Sequence, residues 1–321
     1  MRVCFWGTRG SLPSSLTSEA VKTKIVKVLT LARQRRLDDD DALLAFVEHD
    51  LPFALRGTYG GNTSCVEIRG GTGQVLCDAG SGLRDFATSV MQRQKAGLLK
   101  PPHEFHLFLS HPHWDHIQGF PFFTPAFIPG NKIHIYGCHE GLRDVFVRQQ
   151  ELPFFPVPLA VMRAEITFTR LEPGKTQEIA GFQVTPIRQN HPGDSYGYSF
   201  IRDGKKIVYS TDSEHKGDAE QADYPFLDFF RNADLLIFDA QYTLLDAIHV
   251  KENWGHSSNL MAVELAVRSD VKRLCLYHNE HTCDDEALDR FLEGTRKYLR
   301  LHAEDSPMAI DLAYDGLEIE V

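Results

Sequence analysis

The chain has 321 residues, 42% of them apolar and 24% charged, with a formal net charge of -10. That composition excludes a disordered polypeptide and leaves ample material for a core. The acidic balance argues against broad nucleic-acid affinity, which relies on Lys and Arg displacing counterions from phosphates, and no run approaches the ~20 apolar residues of a membrane span.

The opening "MRVCFWGTRGS" reads as a short strand entering a glycine-rich turn. It lacks the apolar stretch and cleavage site of a secretory signal, so a cytoplasmic location is expected. From about 14 to 51 the pattern changes to a helical hairpin. "AVKTKIVKVLTLARQRR" sets Val21, Ile25, Val28 and Ala32 on one helical face, and "DDDDALLAFVEHDL" opens with acidic capping residues. The switch from Arg33, Arg35 and Arg36 to Asp38 through Asp41 suits one helix ending and another beginning.

"CVEIRGGTGQVLCD" then reads strand, glycine turn, strand, and "HEFHLFLS" is a further strand. "KIHIYG", "AEITFTRL", "FQVTPIRQN", "GYSFIRDGKKIVYSTD", "ADLLIFDAQYT", "RLCLYHNEH" and "IDLAYDGLEIEV" continue the series, with a hairpin turn at Asp203-Gly204. Helices are predicted within 84–98, 140–150, 258–268 and 285–300. Strands in hairpins interrupted by helices in both halves predict an α/β (α+β) chain with two packed sheets and helices outside. The absence of a flexible linker or a repeat favours a single domain over 1–321. The six cysteines contain no C-x-x-C pair and read as reduced, mostly buried residues.

The chemistry is concentrated in "HPHWDH", residues 111 to 116. On an extended segment His111 and His113 project to the same side and can share one cation. Asp115 and His116 follow as the chain turns towards a helix, which points them to a second position. Two metals need more donors, and His191, Asp212 and His278 each follow a strand-like run. A surface loop could carry such a hexapeptide by chance, but burying four such groups without a cation would leave each needing its own partner.

"HPHWDH" resembles the H-x-H-x-D-H motif of the metallo-β-lactamase superfamily, and "RQNHPG", "YSTDSEH", "WGHSS" and "LYHNEH" follow in that superfamily's order. The likeness is to its phosphodiesterase branch, which includes ribonuclease Z and cyclic-nucleotide phosphodiesterase-like proteins. It spans almost the whole chain, with the helical stretch at about 14–51 as an addition. The resemblance implies a four-layer αββα sandwich. It also implies His111, His113 and His191 on one metal, Asp115, His116 and His278 on the other, and Asp212 bridging them. Nitrogen and oxygen donors favour two zinc ions, with manganese or iron also compatible.

The catalytic set expected is His256, Asp115 and Asp212. His256 in "WGHSS" corresponds to a histidine near the scissile phosphate, suited to general acid work or transition-state stabilisation; the alternative is a helix-capping loop in which Ser257 or Ser258 acts and His256 is incidental. Asp78 and Asp239 end apolar strands and are expected to orient ligating histidines, although Asp78 could equally serve its own glycine turn. Glu214 is a weaker candidate. Among the aromatics, Trp254 is expected at the substrate, while Trp114, Phe120, Phe122, Phe123, Phe154 and Phe155 read mostly as core or rim. The glycine-rich "GTRGS" and "GGTG" read as turns.

These observations point to a dinuclear metallo-hydrolase acting on a small phosphodiester such as a cyclic nucleotide. The alternatives are a ribonuclease Z-like endonuclease for transfer-RNA 3′ ends, hydrolysis of another ester such as a lactone or thioester, and a metal-binding or redox protein without hydrolytic activity. Acidic charge and the lack of a separate glycine- and proline-rich arm favour the small substrate. The helical hairpin is expected either to cover the cleft or to form a homodimer contact.

Overall fold

In the computed structural model, residues 1–243 and 253–321 are described. Among them, alternating burial organises the strands into two seven-stranded sheets. The first runs in the order β14 (Glu318–Glu320), β1 (Arg2–Gly7), β2 (Cys65–Arg69), β3 (Gln74–Cys77), β4 (Glu104–Phe108), β5 (Lys132–Gly137), β6 (Glu165–Arg170). The second is β13 (Ala309–Leu312), β12 (Arg273–Tyr277), β11 (Leu235–Asp239), β10 (Lys205–Ser210), β9 (Ser195–Arg202), β8 (Phe182–Gln189), β7 (Gln177–Ile179). In each half an antiparallel meander gives way to parallel strands: β3 through β6 in one, β10 through β13 in the other.

Period-two side-chain alternation explains why β11 is buried throughout. Leu235 and Ile237 enter the core between the sheets, while Leu236 and Phe238 face the outer helices. Strand β12 repeats the pattern, with Cys275 and Tyr277 inward and Leu274 and Leu276 outward. The outer face of the second sheet is covered by helices Pro225–Phe230, Asn259–Arg268 and Asp285–His302; that of the first by helices Gly82–Lys95 and Leu142–Gln149. The result is the four-layer αββα sandwich implied by the resemblance. The predicted turn at Asp203-Gly204 joins β9 to β10, both residues having positive φ. All six cysteines are free, and five are buried. No helix among the described residues is long and apolar enough to cross a membrane.

The helical insertion forms at Ser18–Ala32 and Asp40–Ala45, capped by the side chains of Thr17 and Asp39. It departs from expectation twice. Residues Phe46–Asp50 form a π-helical turn rather than continuing the second helix. The predicted apolar face also docks only in part: Val28 and Ala32 are half-buried, Val21 and Ile25 are exposed, and no residue of the first helix is fully buried. Charge adds to this packing: Lys24 pairs with Asp285 and Lys27 with Glu286, at the start of the long C-terminal helix. Those two acids sit in that helix's first turn, where its dipole favours them.

Truncating a side chain in the inter-sheet core should leave a cavity that the flanking sheets cannot close. Ile237→Ala is expected to lower the unfolding free energy by about 2–5 kcal/mol, read as a shift in the urea midpoint at unchanged slope.

Candidate metal centre

Strand ends build the site. Asp78 follows β3, His111 lies three residues past β4, His191 two past β8, Asp212 two past β10, and His278 immediately past β12; Asp239 is the last residue of β11. Open α/β sheets place binding groups at such carboxyl ends, where the backbone leaves the ladder and side chains can converge. The turn out of the strand requires unusual backbone: Asp78, Asp212 and His278 have φ of 61°, 49° and 62°. Non-glycine residues in this region cost about 1–3 kcal/mol each and cluster at functional sites.

All seven expected ligands come together. Nε2 of His111 lies 2.9 Å from Nδ1 of His113, which lies 3.1 Å from Nε2 of His191. Nε2 of His278 lies 3.1 Å and Nε2 of His116 3.3 Å from Oδ2 of Asp115. Between the two triads stands Asp212. Its Oδ2 is 3.5 Å from His111 and 3.8 Å from His191, and its Oδ1 is 3.3 Å from both His116 and His278. Donors held about 2.0–2.1 Å from a tetrahedral zinc are themselves roughly 3.3 Å apart. The spacing therefore matches two cation positions with a carboxylate oxygen directed at each.

The fit can be tested on a single atom. Nε2 of His116 is buried and has no hydrogen-bond partner, yet faces two carboxylates. A cation would satisfy all three groups at once. Burial opposes ionisation of Asp115, but His116 and His278 hold it well below the usual carboxylate range; against burial, Asp212, Asp115 and Asp78 raise His116 well above its ordinary value, so in the absence of a cation this imidazole carries the positive charge. Asp212 is likewise held low, against burial, by His278, His116 and His111. Burial, with the neighbouring imidazoles, keeps His111 well below its ordinary value and also lowers His113 and His191, leaving them neutral as ligation requires. These clusters suit a dinuclear metal site.

The supporting groups were only partly expected. Asp78 accepts from Nδ1 of His116 at 2.7 Å and also from the Ser110 amide, the Ser110 hydroxyl and the Tyr209 hydroxyl. It thus aims His116 Nε2 at the centre rather than serving the glycine turn. Nδ1 of His191 donates to the Gly255 carbonyl at 2.9 Å, and Ser110 Oγ lies 3.0 Å from Nδ1 of His111. The turn "GTRGS" is part of the site: the Ser11 amide donates to Asp115 Oδ2 at 2.8 Å, and a side chain at Gly10 would strike the His278 ring. A sequence shows none of these backbone partners; its one signal was glycine beside a strand end.

Asp239 differs from expectation. It accepts from Nδ1 of His256 at 2.9 Å and lies farther, 4.0 Å, from Nδ1 of His278. His256 is nearly buried, and its ring stacks 5.0 Å from that of His278. Burial alone would lower its pKa, but Asp239 outweighs burial and raises it to about 9. Ser257 and Ser258 do serve the loop and helix, Ser258 as the cap of Asn259–Arg268, yet His256 is not incidental to them. Glu214 accepts from the Asn253 amide at 2.9 Å and so ties down the loop that carries Trp254, Gly255 and His256. Trp254 is 59% exposed. Phe120 and Phe123 belong to the core, whereas Trp114, Phe122 and Phe154 are exposed.

Comparison with known proteins agrees with this geometry. Residues 74–279 match the family described as beta-lactamase superfamily domain. Ribonuclease Z of Thermoplasma acidophilum is 27% identical over 235 residues, 60% of this chain and 73% of that protein. The metallo-beta-lactamase fold protein YhfI from Bacillus subtilis superposes with a TM-score of 0.64 at 18% identity, over 100% of this chain and 98% of that one. The short form of human tRNase Z superposes with a TM-score of 0.60 at 23% identity, over 100% and 99%. At these identities the superpositions establish the fold.

If Asp78 positions His116, Asp78→Asn should weaken metal binding about 10–100-fold with the far-ultraviolet spectrum preserved. A chelator-competition titration reads this directly, and an unchanged affinity would remove Asp78 from the site.

Proposed function

The chain belongs to the metallo-β-lactamase superfamily, and from that membership and its donor geometry we propose that it is a dinuclear metal-dependent phosphodiester hydrolase. The observation that carries the proposal is Asp212, whose two oxygens face two separate triads of donors. His111, His113 and His191 form one ligand set, Asp115, His116 and His278 the other, and Asp212 joins them. Zinc suits these donors best, with manganese and iron compatible. Such a pair of cations supplies Lewis acidity that lowers the pKa of water from about 15.7 to about 7.

The protein's own groups do the rest. Asp115 and Asp212 hold negative charge at the centre and fix where the attacking water stands. Attack on phosphorus forms one P–O bond as the bond to the departing alcohol breaks. Asp239 anchors Nδ1 of His256, leaving Nε2 as the atom that gives its proton to the departing oxygen. Trp254, exposed two residues before His256, is the side chain a substrate group would meet.

On substrate, the sequence likeness to ribonuclease Z weighs towards the 3′ end of an RNA, the reverse of the order that composition suggests. A net charge of -10 sums the whole surface and says little of one cleft, whereas 27% identity extends over 235 residues. We therefore rank a ribonuclease Z-like endonuclease first. A small phosphodiester such as a cyclic nucleotide is the second reading, favoured by the acidic run Asp38 to Asp41 in the helical insertion.

Three outcomes are expected. Asp212→Ala loses bound metal and activity together. His256→Ala retains its metal while turnover falls about 10²–10⁴-fold; equal metal loss in both variants contradicts the roles given. Against a panel of precursor transfer RNA, cyclic mononucleotides and cyclic dinucleotides, metal-loaded protein cleaves the RNA most efficiently, and exclusive turnover of a cyclic nucleotide reverses the ranking.

A further inference from the structure

A second concavity lies beside the "HPHWDH" stretch. It has a volume of about 550 Å³, and Pro112, Trp114, Phe122, Arg148, Gln149 and Phe154 form its walls. Pro112 and Trp114 alternate along the chain with His111, His113 and Asp115. The same six residues therefore supply the metal centre and one wall of this neighbouring cavity.

Its surface is unusually rich in exposed rings. Trp114 is 83% exposed, Phe154 81% and Phe122 57%. Scattered single apolar residues need no explanation, but large rings grouped around one cavity mark a binding site. Phe122 packs edge-on against Phe155, with ring centroids 5.6 Å apart. Two polar groups in it are unspent. No carboxylate pairs with the Arg148 guanidinium among the described residues. Gln149 donates from Nε2 to the Ile117 carbonyl at 2.7 Å, while its Oε1 is buried without a hydrogen-bond partner.

Exposed rings and a planar cation together suit an unpaired nucleobase. A base stacks on aromatic and guanidinium planes. We propose that this cavity seats the nucleobase next to the scissile phosphate, so that the substrate is a nucleotide phosphodiester with an unstacked base and not a simple ester. The inference rests on the phosphodiesterase reading above and deepens it. It accounts for Trp114 standing exposed between two ligands, where metal binding alone gives no reason for an indole.

Two chromogenic esters separate the possibilities: thymidine 5′-(p-nitrophenyl phosphate) and methyl p-nitrophenyl phosphate share a leaving group and differ in the base. In Phe154→Ala and Arg148→Ala, kcat/KM on the thymidine ester should fall about tenfold, mainly through KM, and at least several-fold more than on the methyl ester. Equal falls on both esters, or none on either, overturn the proposal. Calorimetry with thymidine 5′-monophosphate reads the cavity without turnover: Kd should rise about tenfold in Phe154→Ala, with that of inorganic phosphate changing far less. Wild-type protein binding the nucleotide no more tightly than inorganic phosphate also overturns it. Should neither ester be hydrolysed while the nucleotide binds as described, the phosphodiesterase reading fails and the base site stands.

Discussion

The carboxylate of Asp212, buried among four imidazoles, is the constraint on which the molecule depends. Placing such a charge out of water costs several kcal/mol unless positive charge and hydrogen bonds compensate it. The imidazoles of His278, His116 and His111 supply part of that compensation, and the two carboxylate oxygens, each facing one donor triad, are placed to receive a cation each. Everything nearby serves this geometry. Asp78 orients His116, the Gly255 carbonyl orients His191, and the Ser11 amide steadies Asp115.

The two sheets make the geometry possible because they stack with strand ends at one edge. The inter-sheet core, with Phe108, Tyr209, Ile237 and Tyr277 fully buried, fixes β4, β10, β11 and β12 relative to one another. It also holds the left-handed backbone at Asp78, Asp212 and His278, strain that an isolated loop would release. Tyr209 links the two roles, since its ring lies in the core and its hydroxyl donates to Asp78. Close approach matters as much as anchoring: a side chain at Gly255, which has φ of +86°, would collide with the His191 ring.

Much of this was legible in the sequence because local rules carried it. The run "HPHWDH" packs ligand types at a spacing that extended backbone converts into convergent side chains, and apolar runs closed by His or Asp announced strand ends. Glycine and serine groups that support the ligands were not legible, since their role comes from backbone amides and carbonyls brought together across the chain. Asp239 could be read as a supporting carboxylate, but only the fold shows that it holds His256. The helical insertion was legible only in part for a related reason: Val28 and Ala32 of its apolar stripe are half-buried, while Val21 and Ile25 stay exposed and Lys24 and Lys27 add ion pairs that no local pattern shows. Charge summed over the chain likewise favoured a small substrate, although a net value says little of one cleft.

Anomalous X-ray diffraction from crystals of the metal-loaded protein addresses the two-cation claim most directly. Two peaks roughly 3.5–4 Å apart, one on each side of the Asp212 carboxylate, are the predicted result. A single peak, or none within reach of His111 and His278, contradicts it.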